Sequence, residues 1–302
     1  MSALRRVDAW LLAPAPARRL AALRVLVGLF ATLYVAIRLP PFLALARPAA
    51  SSTFEPVGAL WFLGGPLPPS VVVVAVLATL VSGVGFTLGW RFRLTGPSFA
   101  LGLLAITTYR SSWGQILWLE NLVVVHVLIL GASRAADAWA WRPGRAAAAR
   151  LDDPTYGWPL RLAALVTAAT YVLAGVAKIR YGGWGWMLGE SVRNQVAYSA
   201  ARLELLGATG SPIGRRSAAH AWLFPPGAVA TVVLELGAPI ALWRRLRTPW
   251  VASAWAMHVS IAALMFVVFP YPLVLVAFAP FYELDDLAER AWAHVRRRRR
   301  AR

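Results

Sequence analysis

The chain contains no cysteine. Disulfides, thiolate metal sites and cysteine nucleophiles are therefore excluded, and redox chemistry gives no clue to the compartment. Lysine is nearly absent too: Lys178 stands alone against thirty arginines. Acidic residues number only 13 against 31 basic ones. There is no phosphate loop, dinucleotide fingerprint, G-x-S-x-G or H-E-x-x-H. No internal repeat is present, which argues against a transporter built from repeated broken helices. What the sequence has in excess is apolar surface. Of 302 residues 59% are hydrophobic and 15% charged, too apolar for an ordinary water-soluble domain. Apolar segments recur from residue 20 to residue 282, which predicts one all-α membrane domain, a polytopic transmembrane helical bundle.

About eight spans are expected. They run roughly from Leu20 to Ile37, Ser70 to Gly89, Thr95 to Tyr109, Gln115 to Ala132, Leu160 to Ala177, Gly227 to Trp243, Trp250 to Phe269 and Leu273 to Phe281. Arg24 lies inside the first and is expected to snorkel toward Arg18 and Arg19. A proline- and glycine-rich loop separates the first two spans, with Phe54, Trp61 and Phe62 as interfacial aromatics. Residues 133–160 include Ala146 to Ala149 and are read as a surface helix. Residues 178–225 form the longest polar segment, extracytoplasmic and in part re-entrant. Residues 283–302 are expected to form a basic tail helix with five consecutive arginines, Arg296 to Arg300.

The net charge of +18 sits mainly in the loops between spans. Lipid headgroups and the positive-inside rule account for it, and no nucleic-acid partner is expected. With eight spans, the loops on the N-terminal side carry more than twice the basic residues of the opposite loops. This places residues 1–19 and both termini in the cytoplasm and the protein in the inner (cytoplasmic) membrane. Lys178 then lies at the outer end of the fifth span.

Ionisable groups within spans are costly and face a cavity or a partner. Besides Arg24 these are Glu120, His126, Glu235 and His258, with Asn121 adding an amide. Two roles are open to Lys178. It can form a structural bridge with Glu120 at similar depth in the neighbouring span. Alternatively, in a nearly dry cavity, it can take a proton from a bound substrate, which arginine cannot do. His126 and His258 read as helix-to-helix hydrogen-bonding residues. Their spacing with Glu235 does not demand a metal. Tyr181, Trp184 and Trp186 form an interfacial belt or wall a pocket for a quinone or lipid ring.

One stretch carries a resemblance. Tyr171, Ala174-Gly175 and Lys178, followed by Trp186-Met-Leu-Gly189, resemble the HTTM domain. This is the membrane domain shared by vitamin K-dependent gamma-carboxylase and its bacterial relatives. Leu234-Glu-Leu-Gly-Ala, the charged turn at Arg244 to Arg247, His258 and the Trp118 to Asn121 stretch follow the family's order. The resemblance implies a reduced quinone (vitamin K or menaquinol) as cofactor or substrate. Lys178 would be the base that deprotonates it before oxygen converts the quinol to an epoxide. Glu120, Asn121, Tyr171, Trp184, Trp186, His126 and His258 would line the site.

Two departures count against peptide glutamate carboxylation. Asn121 is followed by Leu122 where the carboxylases have a histidine, and the chain carries no large extracytoplasmic domain. The alternative is a non-catalytic membrane protein that binds lipid or a partner protein.

Overall fold

The computed structural model describes residues 3–46, 53–116, 118–141 and 152–286. Among these the chain is all-helical, with a single isolated backbone bridge between Ala15 and Asp153. It divides into two compact units, residues 1–163 with 282–302, and residues 164–281.

The first unit holds α1 (Ala3–Leu11), α2 (Ala17–Ile37), α3 (Leu39–Ala44), α4 (Pro69–Leu88), α5 (Phe92–Ser111), α6 (Asn121–Gly131) and the start of α7 (Pro154–Ala177). Small residues let these helices approach closely, as in membrane bundles. A Cβ on Gly28 would meet Phe86 and Thr87 at 2.8 Å, and one on Gly83 would meet Phe99 and Thr32 at the same distance. The Thr32 and Thr87 hydroxyls lie 3.2 Å apart across the α2–α4 contact. The segment after Phe281 returns to this unit, where the Arg19 Nε donates to Asp285 at 2.8 Å.

Arg24 does not snorkel. Its side chain is fully buried and donates to the carbonyls of Ala135 (2.9 Å), Ala138 (3.3 Å) and Trp139 (2.5 Å). These carbonyls belong to the irregular chain after α6, where helix geometry no longer supplies amide partners. A planar fork with five donors satisfies several of them at once.

The second unit contains the end of α7, a π-helical turn Lys178–Gly182, α8 (Gly183–Met187), α9 (Glu190–Leu205), α10 (Pro212–Ala218), α11 (Phe224–Leu236), α12 (Arg247–Met265) and α13 (Pro270–Leu273). The expected eighth span is not a spanning helix. Residues Val276–Phe281 form a 3-10 helix that is largely buried. Pro270, Pro272 and Pro280 remove the amide donors that a continuous helix would need.

Among the described residues three helices are long and apolar enough to cross a membrane: Ala17–Ile37, Pro69–Leu88 and Pro154–Met187. The pair Pro212–Ala218 and Ala221–Leu236, bent by 106°, makes a fourth if counted as one crossing. Four is half the expected eight. The expected fourth span forms only α6, 11 residues long, or about 16 Å against the roughly 30 Å of a hydrocarbon core. α5 and α12 have the length but carry polar groups, among them Arg93 and Arg110 in α5 and Arg247, Ser253, His258 and Ser260 in α12. Exposed Leu29, Leu33, Val74, Val81 and Leu173 coat the outer faces of the long helices, a surface that water would not favour. The surface helix expected over residues 133–160 is not formed where the chain is described: residues 133–141 are irregular turns and residues 154–160 belong to α7. Its alanine run, Ala146 to Ala149, and residues 287–302 of the basic tail lie outside the described residues.

Candidate functional site

The site is assembled by one helix face. Tyr171, Gly175 and Lys178 are spaced i, i+4, i+7 on α7 and its continuation, so they share a side. Gly175 is the contact point with α11. A Cβ there would lie 3.0 Å from Leu236 and 3.1 Å from Glu235. With no side chain in the way, Glu235 reaches Lys178, and Nζ to Oε1 is 2.6 Å. Glu235 sits in the last turn of α11, where the helix dipole disfavours a carboxylate. Lys178 at the end of α7 provides the compensating charge. Its side chain is 20% exposed and that of Glu235 5%.

α7 ends where the π-turn Lys178–Gly182 begins, and Gly183 (φ 50°) then redirects the chain into α8. π-Turns of this kind are frequent at functional sites. The redirection brings the Trp186 ring to 5.2 Å from the Lys178 Nζ, within cation–π range.

Two turns back on α7, the Tyr171 hydroxyl pairs with the His258 Nε2 at 2.7 Å. Aromatic rings fix both groups. Trp250 packs edge-on to Tyr171 with centroids 5.0 Å apart, and Phe269 lies 4.9 Å from the His258 ring. The Trp250 Nε1 donates to the Leu234 carbonyl at 2.9 Å and so ties α12 to the turn that presents Glu235. Three buried polar atoms of this cluster have no protein partner: Glu235 Oε2, His258 Nδ1 and Trp186 Nε1. Buried polar atoms are rarely left so. Trp250 also lines a largely apolar cleft of about 800 Å³ together with Gly227, Thr231, Met257, Ser260 and Leu264. That is the size of a small-molecule pocket.

No known protein family, curated protein or solved structure matches the chain. The chemistry must therefore be read from the side chains. Among the described residues no group of three or more histidine, aspartate or glutamate side chains is placed to hold a metal ion. What remains is an acid–base pair, a second hydrogen-bonded pair whose tyrosine packs on Trp250, and an apolar cleft that Trp250 also lines.

Of the residues named from sequence, Lys178, Tyr171, Trp186 and His258 come together here. Trp184 is 80% exposed and takes no part. In place of the expected Glu120–Lys178 bridge, each side chain has a partner within its own unit. Glu120 lies in the first unit, where it is buried, accepts from Tyr34 and pairs with Arg110. Asn121 is exposed at the start of α6. His126 is fully buried, with its Nε2 3.1 Å from the Ala163 carbonyl, which is the helix-to-helix role expected of it. Glu235 and Trp250 were not among the site residues named from sequence. The signal for Glu235 was Gly175: a glycine on the lysine's own helix face marks where a neighbouring helix comes close.

Proposed function

We propose that this chain is a multi-pass protein of the cytoplasmic membrane, of the HTTM type, whose second unit binds a lipid-soluble hydroxylated substrate such as a quinol and removes a proton from it. The observation that carries this reading is the buried Lys178–Glu235 pair with Glu235 Oε2 left free for a hydroxyl. The proton leaves the substrate oxygen for the pair. The Tyr171–His258 couple and Trp186 would flank the ring, and the apolar cleft, which meets this cluster at Trp250, would take the rest of the molecule. Base catalysis from a positioned side chain contributes about 10²–10⁴-fold. In purified protein supplied with menaquinol and with oxygen as the electron acceptor, Lys178→Ala and Lys178→Arg are both expected to lower quinol oxidation by about 10² or more. Wild-type turnover in the arginine variant would show that no proton passes through this residue. A wild type that neither binds nor oxidises any quinol would remove the reading altogether.

A second reading has its own support. The Lys178 Nζ is already engaged at 2.6 Å, and the cleft is mostly apolar, as a lipid-binding or partner-binding protein without catalysis would have it. Retained quinone or lipid binding without turnover, in wild type and variants alike, would favour it.

The orientation rests on charge. Arg5, Arg6, Arg91, Arg93, Arg134, Arg244 and Arg245 flank one set of apolar helix ends, and the loops at the other set carry less than half as many basic residues. An even number of crossings, such as the four apolar ones, then leaves both termini on one side of the membrane, the cytoplasmic side by this charge bias. A reporter fused after residue 205 is expected outside. A cytoplasmic signal there would overturn this topology.

A further inference from the structure

A second polar cluster closes one end of the first unit, where α2 and α5 end and α6 begins. Glu120 is buried and accepts from the Tyr34 hydroxyl and the Arg110 guanidinium. Arg110 in turn lies over Phe42, 5.0 Å from its centroid. Arg38 lies over the Tyr34 ring at 4.8 Å, close enough for its charge to act on Arg110. The cluster therefore holds two guanidinium groups and one carboxylate. Arg110 and Glu120 neutralise each other. Arg38 is partly exposed and, among the described residues, has no carboxylate partner. It is the last charge on a helix whose outer face is apolar, and the residue before it, Ile37, is 78% exposed. Trp61, Phe62 and Ile116 are also exposed in the segments that join the helices at this end. A guanidinium beside exposed aliphatic and aromatic side chains fits the depth of lipid headgroups.

We propose that this end of the first unit is a binding site for the phosphate of an anionic lipid headgroup, with Arg38 as its donor. The guanidinium fork matches phosphate geometry. Stacking on Tyr34 holds that fork in place, and the apolar exterior of α2 receives the acyl chains. Glu120 keeps Arg110 from competing for the same anion, so the site has one donor side chain and not two. A free phosphate ion offers the same chemistry, but it gains nothing from the apolar surface beside Arg38, and the lipid is the occupant assigned.

The test uses the full-length protein in nanodiscs or detergent, titrated with phosphatidylglycerol, phosphatidylcholine and inorganic phosphate, with binding followed by native mass spectrometry. Phosphatidylglycerol should bind in preference to phosphatidylcholine. Arg38→Gln should weaken it roughly fivefold, the factor corresponding to ~1 kcal/mol for one arginine near a lipid surface. Glu120→Gln frees Arg110 and should tighten binding, an effect that mere loss of packing would not produce. Because Arg38 is partly exposed, its variant is expected to fold even where a Glu120 variant does not. Equal phosphatidylglycerol binding by wild type and Arg38→Gln would overturn the proposal. Inorganic phosphate that binds as tightly as the lipid would overturn the lipid assignment.

Discussion

Lys178→Met is expected to abolish turnover and to destabilise the protein by about 3 kcal/mol, whereas Lys178→Met with Glu235→Leu restores most of that stability and none of the turnover. Removing one member of a buried ion pair strands the other, at a cost of about 3–5 kcal/mol. The lower end applies because the Lys178 side chain keeps 20% exposure. Replacing both members by apolar groups of similar volume is often neutral or stabilising. The double variant therefore separates packing from chemistry. Thermal unfolding in detergent reads the first and quinol oxidation the second. A double variant that is stable and fully active would mean that the pair only joins helices. A single variant as stable as wild type would mean that Glu235 finds another partner without difficulty.

Arg24→Met should be at least as damaging, although no part of the proposed site touches it. The substitution leaves the Ala135, Ala138 and Trp139 carbonyls without their side-chain donor. A buried polar group left without a partner costs about 1–3 kcal/mol, so a total of about 3–5 kcal/mol is expected even with partial relaxation. Arg24→Lys should recover only part of the loss, because an ammonium lacks the planar fork that reaches separated acceptors. Thermal unfolding of the two variants against wild type checks this. A methionine variant with an unchanged midpoint would show that the loop carbonyls find other donors.

The helical class and the long apolar helices were legible because they depend on local composition. α2 and α4 lie within a few residues of where hydropathy puts them. Two of the crossings that failed did so for reasons composition hides. α6 is cut short by the 3-10 turn at Trp118–Glu120, and the chain after Phe269 coils inward around its prolines. Arg24 was misread because an arginine near a helix start gives no sign of whether it points to water or to carbonyls more than a hundred residues away. Lys178 was conspicuous by its rarity and His258 by its place in an apolar helix, whereas Tyr171 was named only through the resemblance to the HTTM stretch. The choice of Glu120 as partner followed depth alone. Depth says nothing about which helices touch, and only the glycine at 175 carried that information.

That glycine has a mechanical consequence. No side chain props α7 and α11 apart at this point, so the backbones come close enough for the flexible lysine stem to reach Glu235. A methyl group there would act as a wedge. Forced apart by that width, the two helices would lose their dispersion contacts first, because these fade with distance faster than the attraction between the charges.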